Sequence, residues 1–264
     1  MNGLISFNSN SLQTYDIAAQ TGIITNVINH GSIPDKVANL YQIANSNSSA
    51  IPFIDYPSKA ISISGVIKGS DQEDLDTRID TFKGYFNGKN HNLDINYKST
   101  NRRYTATATN VGISERTGAL LYVEFTVEFI CTKPFGKDII ATEIANVSGN
   151  TLSTVTFNPV IGGNAPEQLP ITTITLNAIT GSGDYVQLSN DGNDQKLLVF
   201  GKNLQAGDVI VIDGVSREVT INSQLVDFEG SFLEFEPGAQ SLTYTDGFDS
   251  RNSDILIEYQ KQYL

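Results

Sequence analysis

Between Ile61 and Gly136 a single helix-forming stretch is enclosed by strand-forming ones, and this limits the fold more than any other feature of the chain. The alternation Ile61-Ser62-Ile63-Ser64 reads as a strand that ends in a turn at Lys68-Gly69. A helix is predicted to open at Ser70, with Glu73 three residues later completing a capping box in which each side chain takes a backbone N–H of the first turn. Asp71, Glu73, Asp74 and Asp76 crowd the positive end of the helix dipole. Leu75, Ile79, Phe82 and Phe86 fall at helical spacing and make one apolar stripe, which stops at Gly88. Strands resume at Leu93, Ile95 and Tyr97. The clearest strand follows, with Leu121, Val123, Phe125, Val127 and Phe129 alternating with Tyr122, Glu124, Thr126 and Glu128. One of its faces packs on a core and the other meets solvent or a neighbouring molecule. With the segment from Arg102 and Tyr104 it is expected to form a long hairpin around the polar turn at 112–118. Nothing in the stretch is built for chemistry; it reads as an assembly module.

The composition agrees with a β-rich, turn-rich architecture. Charged residues make up only 17% of the chain, while Gly, Asn, Ser and Thr are plentiful. The net charge of −12 argues against a partner with a phosphate backbone and against docking on an anionic membrane. No window approaches the roughly 18 apolar residues of a spanning helix. Met1-Asn2-Gly3-Leu4 lacks the basic and apolar segments of a signal peptide, so the product is expected in a cytoplasm at first. Cys131 is the sole cysteine, which excludes an internal disulfide and a thiolate metal cluster. At the end of an apolar strand it reads as a small buried hydrophobe.

Early strands are expected at Leu4–Phe7 and Gly22–Ile24, and the tract Asn45-Ser46-Asn47-Ser48-Ser49 is read as an exposed loop. Residues 137–165 carry few large apolar groups and end in Gly162-Gly163-Asn164-Ala165-Pro166, which is linker chemistry. After Pro170 short strands recur, at 171–176, 185–188, 197–200, 208–212, 217–221, 232–235, 242–244 and 255–259. Turn signals such as Asn190-Asp191-Gly192 and Asp213-Gly214 separate them, a spacing that fits a β-sandwich or jelly roll. The expected domains are therefore 1–140 and 166–264, joined by a linker over 141–165.

Residues able to carry chemistry are few. His30 and His91 sit in polar surroundings with no nucleophile motif nearby and read as solvated loop residues. Gly181-Ser182-Gly183 opens no helix and cradles no phosphate. Asp71 to Asp76 lacks the glycine of a calcium loop, and helix capping explains its acids. Asp246, Asp249, Asn252 and Asp254 could gather oxygen ligands, but their spacing matches no calcium motif. Tyr185, Phe228, Phe248 and Tyr263 read mostly as core, not as a sugar-stacking platform. The expectation is a non-enzyme with no catalytic residue, no metal and no cofactor. Its one candidate site is a subunit interface made by Tyr122, Glu124, Thr126 and Glu128.

The residues carry a family resemblance. The Ile61 strand, the capped helix and the strand that runs into Lys133-Pro134-Phe135-Gly136 are similar to the second half of the N-terminal belt domain of distal tail proteins from long-tailed, non-contractile bacteriophages. The entry Gly163-Asn164-Ala165-Pro166-Glu167-Gln168-Leu169-Pro170 resembles the start of that family's galectin-like C-terminal domain. So do the run Leu204–Asp213 with Arg217–Asn222, the Glu236-Pro237-Gly238 turn and the last strand Ile255–Tyr259. The resemblance implies a mainly β chain. Its N-terminal β-sandwich would carry one helix and a long hairpin, and a galectin-like or jelly-roll sandwich would follow. It further implies a homo-hexameric ring at the virion tail tip, assembled in the host cytoplasm. Such a ring joins the tail tube protein to a hub or tail-associated lysin protein and to receptor-binding or fibre proteins, with no specific nucleic-acid binding and no membrane insertion. An acidic chain would also keep a DNA-conducting channel from binding its cargo. The competing reading is a carbohydrate-binding module or surface adhesin.

Overall fold

The computed structural model describes residues 5–29, 34, 37–38, 41–42, 49–50, 54–97, 100–115, 118–181, 185–192, 195–200 and 204–264. The chain divides into two compact units, Met1–Ile139 with Leu264, and Ile140–Tyr263. The paired strands described are all antiparallel, and one helix accompanies them.

In the first unit the strands are β1 (Ile5–Phe7), β2 (Asn10–Ser11), β3 (Gly22–Asn29), β4 (Val37–Ala38), β5 (Tyr41–Gln42), β6 (Ser49–Ala50), β7 (Ile54–Asp55) and β8 (Lys59–Lys68). Helix α1 (Gln72–Gly84) follows, then β9 (His91–Tyr97), β10 (Thr100–Ile113), β11 (Tyr122–Cys131) and β12 (Gly136–Lys137). The main sheet runs β2-β1-β9-β10-β11-β8-β3, with β12 beside β10. The predicted hairpin is β10–β11, bent by a bulge between Ala108 and Asn110. The sheet curls until the segment after β2 bridges its two edges. Leu12 N–H donates to the Ile5 carbonyl, Thr14 N–H donates to the Ile23 carbonyl, and Thr25 Oγ1 donates to the Leu12 carbonyl. Edge strands that would invite pairing with other chains are thereby covered.

The helical stripe fills the inside of this curl. Leu75 and Phe82 are fully buried, and the Phe82 ring lies 4.7 Å from Phe125 and 4.9 Å from Phe86. Phe7 joins them at 5.0 Å from Phe129. The helix itself starts one residue later than its sequence predicts. Asp71, not Ser70, is the N-cap, and its Oδ1 accepts from Asp74 N–H, while Asp74 Oδ2 accepts from Ser70 N–H. The reciprocal logic of a capping box survives, shifted so that Asp71 and Asp74 take the places assigned to Ser70 and Glu73. Both were eligible, and a carboxylate accepts more strongly than a hydroxyl.

Between β3 and β8 the described residues form two short antiparallel pairs, β4 with β7 (Val37 opposite Asp55) and β5 with β6 (Tyr41 opposite Ala50). Of the expected loop, Asn45–Ser48 lie outside the described residues, and Ser49 belongs to β6.

In the second unit the strands are β13 (Thr142–Asn150), β14 (Thr154–Phe157), β15 (Val160–Ile161), β16 (Pro170–Thr180), β17 (Tyr185–Asn190), β18 (Gln195–Phe200) and β19 (Val209–Asp213). They continue as β20 (Glu218–Ile221), β21 (Gln224–Leu225), β22 (Phe228–Gly230), β23 (Gly238–Ala239), β24 (Leu242–Asp246), β25 (Ser250–Tyr259) and β26 (Gln262–Tyr263). A six-stranded sheet, β13-β25-β16-β19-β20-β21, and a five-stranded sheet, β14-β24-β17-β18-β22, enclose one core. Ile174, Leu176, Ile210, Ile255 and Ile257 from the first meet Val186, Leu188, Leu197, Val199 and Tyr244 from the second.

Two expectations are corrected in this unit. Residues 141–165 are not a linker, because β13 pairs along β25 and β14 along β24. Few of their side chains are large and apolar because both are edge strands; of β13 only Ala145 and Asn150 are buried, while Ile144 and Phe157 pack partly against the core. Residues 232–235 are not a strand either. Phe232, Leu233 and Phe235 are buried in an irregular crossing, and Phe235 makes a lone bridge to Gln168. The pairing there is made by Phe228–Gly230 instead.

Candidate subunit interface

The outward face of β11 is built by strict alternation. Val123, Phe125, Val127, Phe129 and Cys131 point into the core, and Tyr122, Glu124, Thr126, Glu128 and Ile130 are exposed. All four residues expected at the interface therefore share one surface. Leu121 does not belong to the inner set, for it precedes the strand and lies in the bend where its carbonyl accepts from Gly69 N–H.

Neighbouring strands border this surface with mostly small side chains. Across β8, Glu124 faces Val66, Thr126 faces Ser64, Glu128 faces Ser62 and Ile130 faces Ala60. Across β10, Thr126 faces Gly112 and Glu128 faces Asn110, whose Nδ2 donates to Glu128 Oε2 at 3.4 Å. Small side chains around Thr126 allow close approach of another protein surface. Ile130 extends the patch; it is 44% exposed, as Tyr122 is at 41%. The sequence signal for Ile130 was available, because an apolar residue occupies a position whose alternation is otherwise polar. The residues contributed by β8 and β10 carried no such signal, since only pairing brings them beside β11.

The remaining candidates are dispersed. His91 opens β9, where its ring packs edge-on to Phe7 at 5.7 Å and Nε2 lies 3.1 Å from the Asn87 carbonyl. It is a half-buried strand residue, not a solvated loop one, because Gly88 turns the chain back under it. His30 lies outside the described residues. Asp246 is buried in the second unit, where it accepts from Tyr244 Oη (3.0 Å), Phe248 N–H (3.0 Å) and Arg251 Nε (2.9 Å). Arg251 also donates to the Phe248 carbonyl. Burial pushes the Tyr244 hydroxyl well above its usual range, with the Asp246 charge adding to the shift. Asp254 is held low by Gly149 N–H and then by Asn177. These acids therefore serve separate structural bonds, and among the described residues no group of His, Cys, Asp or Glu is placed to hold a metal ion. A cavity lined by Thr172, Leu188, Ile212 and Phe232 has a volume near 10 Å³, room for about one water molecule.

Comparison with known proteins bears on the fold and on the second unit. Residues 162–263 match the family model of the siphovirus-type tail component, C-terminal domain. No curated protein sequence matches the chain. The Dit (gp 19.1) protein of phage SPP1, described as a paradigm of the hub adsorption apparatus in Gram-positive infecting phages, aligns at a TM-score of 0.71 and 14% identity over 100% of both chains. A chain of the phage P2 baseplate, in its activated conformation with calcium, aligns at 0.48 and 10% identity over 99% of this chain and 98% of that one. The mainly β fold expected from the sequence thus holds, and the chain resembles the distal tail proteins in its whole fold as well as in its C-terminal sequence.

Proposed function

We propose, from a C-terminal stretch that matches the siphovirus-type tail components and a whole-chain fold shared with SPP1 Dit, that this protein is a structural part of a phage tail tip. It forms a homo-hexameric ring that joins the tail tube protein to a hub or tail-associated lysin protein and to receptor-binding or fibre proteins. It carries out no catalysis, and its place is the virion. The first unit closes the ring and the second, galectin-like unit presents the outer surface.

The observation that carries this reading is the family match over 162–263. The uncovered face of β11 supports the ring. It carries the exposed Tyr122 and Ile130 at its two ends and is set on a sheet instead of on a loop. Light scattering and negative-stain imaging of the purified chain test the proposal. The expected particle has a central hole and a mass of about six times the 28.7 kDa chain. A chain that stays monomeric alone, and also in the presence of its tail tube and hub proteins, would overturn it.

A further inference from the structure

Lys59 and Cys131 are direct partners across β8 and β11. Lys59 keeps 3% of its surface exposed and Cys131 none. The Lys59 amine lies 5.3 Å from the centre of the Tyr104 ring, and Tyr104 belongs to β10, the strand beyond β11. Adjacent strands are about 4.8 Å apart. Cys131 lies opposite Lys59 on one side and opposite Ala106 of β10 on the other, and Tyr104 stands two residues from Ala106 on the same buried face, so a Lys59 side chain that reaches from β8 toward the Tyr104 ring runs alongside Cys131.

Among the described residues nothing accepts a hydrogen bond from Lys59 Nζ. Cys131 is the sole cysteine of the chain, so no second thiol can pair with it. Burial lowers the Lys59 amine below its ordinary value and pushes the Cys131 thiol up to about 12, which moves both groups toward their neutral forms. An amine and a thiol are thus held together in a dry site, each without another chemical outlet.

We propose that Lys59 Nζ and Cys131 Sγ join through a single oxygen atom when the folded protein meets dioxygen. One N–H bond, the S–H bond and the O–O bond break. One oxygen is inserted to give N–O–S, and the other leaves as water with the two hydrogens. Nitrogen and sulfur each give up two electrons, and these four electrons reduce the dioxygen. The bridge ties β8 to β11 at the first residue of β8, shortly after β7 pairs with β4, so it fastens the chain where it enters the sheet.

Mass spectrometry of the full chain tests the bridge, after incubation in air-saturated buffer and, in parallel, with a thiol reductant under nitrogen. The expected aerobic product is about 14 Da heavier, and its tryptic digest contains the Lys59 and Cys131 peptides joined and separable by reductant. Trypsin cleavage after Lys59 is lost only in that product. An unchanged thiol, a gain of about 16 Da on Cys131 alone, or a loss of about 2 Da from a direct S–N bond overturns the proposal. The readout is on the unaltered protein, so it does not depend on a variant folding. Cys131→Ser, with its fold checked by melting, should show no mass change in air.

Discussion

Lys59 and Asp246 show two ways in which a buried charge is accommodated. Asp246 has its oxygens filled by Tyr244, Phe248 and Arg251, so removing it leaves a guanidinium 10% exposed with its partner gone. Asp246→Ala is expected to cost about 3 kcal/mol, read from denaturant unfolding. Lys59 has no such partner among the described residues, and burial lowers its pKa beneath 10.5. The unfolded chain therefore binds that proton more tightly than the folded one, and stability rises with pH up to about 10.5. Lys59→Met should stabilise reduced protein by about 1 kcal/mol at neutral pH, and the advantage should shrink as the pH approaches 10.5. Melting temperatures measured from pH 7 to 11 decide it. Cys131 works in the opposite sense, since its thiol is raised from 9.0 to about 12. The stability it lends is full below pH 9 and is lost as the pH rises toward 12, so Cys131→Ala should flatten the alkaline fall.

For the helix, the difference between two adjacent side chains is measurable. Asp71 accepts the Asp74 N–H, whereas exposed Ser70 donates its hydroxyl to carboxylates and leaves no first-turn N–H unpaired when lost. Asp71→Ala should cost about 1 kcal/mol and Ser70→Ala a few tenths. Equal losses in chemical denaturation would return the cap to Ser70. On β11, Thr126 sits between Ser64 and Gly112 with open space outside. Thr126→Arg should change the stability of the isolated chain by no more than about 0.5 kcal/mol, yet abolish the ring in light scattering. Retention of the ring would move the interface to another surface. The alternation that placed Tyr122, Glu124, Thr126 and Glu128 on one face was legible because a strand has a period of two. The small residues opposite them were not, since strand partners are set by register and not by local sequence.

At the scale of the molecule the governing quantity is charge. Each copy carries −12, so copies brought together in a ring repel one another. Assembly should therefore strengthen as salt rises from about 10 mM to about 0.3 M, because the screening length falls from tens of ångströms to several. A ring that dissolves with added salt would indicate an interface held by opposite charges instead. Two separate cores underlie the two units, with no residue common to both. Asp246→Ala is expected to lower the calorimetric transition of the second unit and leave that of the first in place.

By itself the sequence determined the β-rich class, the one helix and its buried stripe, the hairpin β10–β11 and the exposed face of β11. Each of these follows from side-chain periodicity and turn chemistry within a few residues. Tertiary structure decided what depends on partners distant in the chain. It drew the polar stretch 141–165 into edge strands, closed the first sheet through Leu12–Thr14, and packed His91 against Phe7. It also placed Lys59 across from Cys131, 72 positions away in the chain, by pairing β8 with β11 along their whole length. Small polar residues read alike in a linker and in an edge strand, and only the available backbone partner tells the two apart.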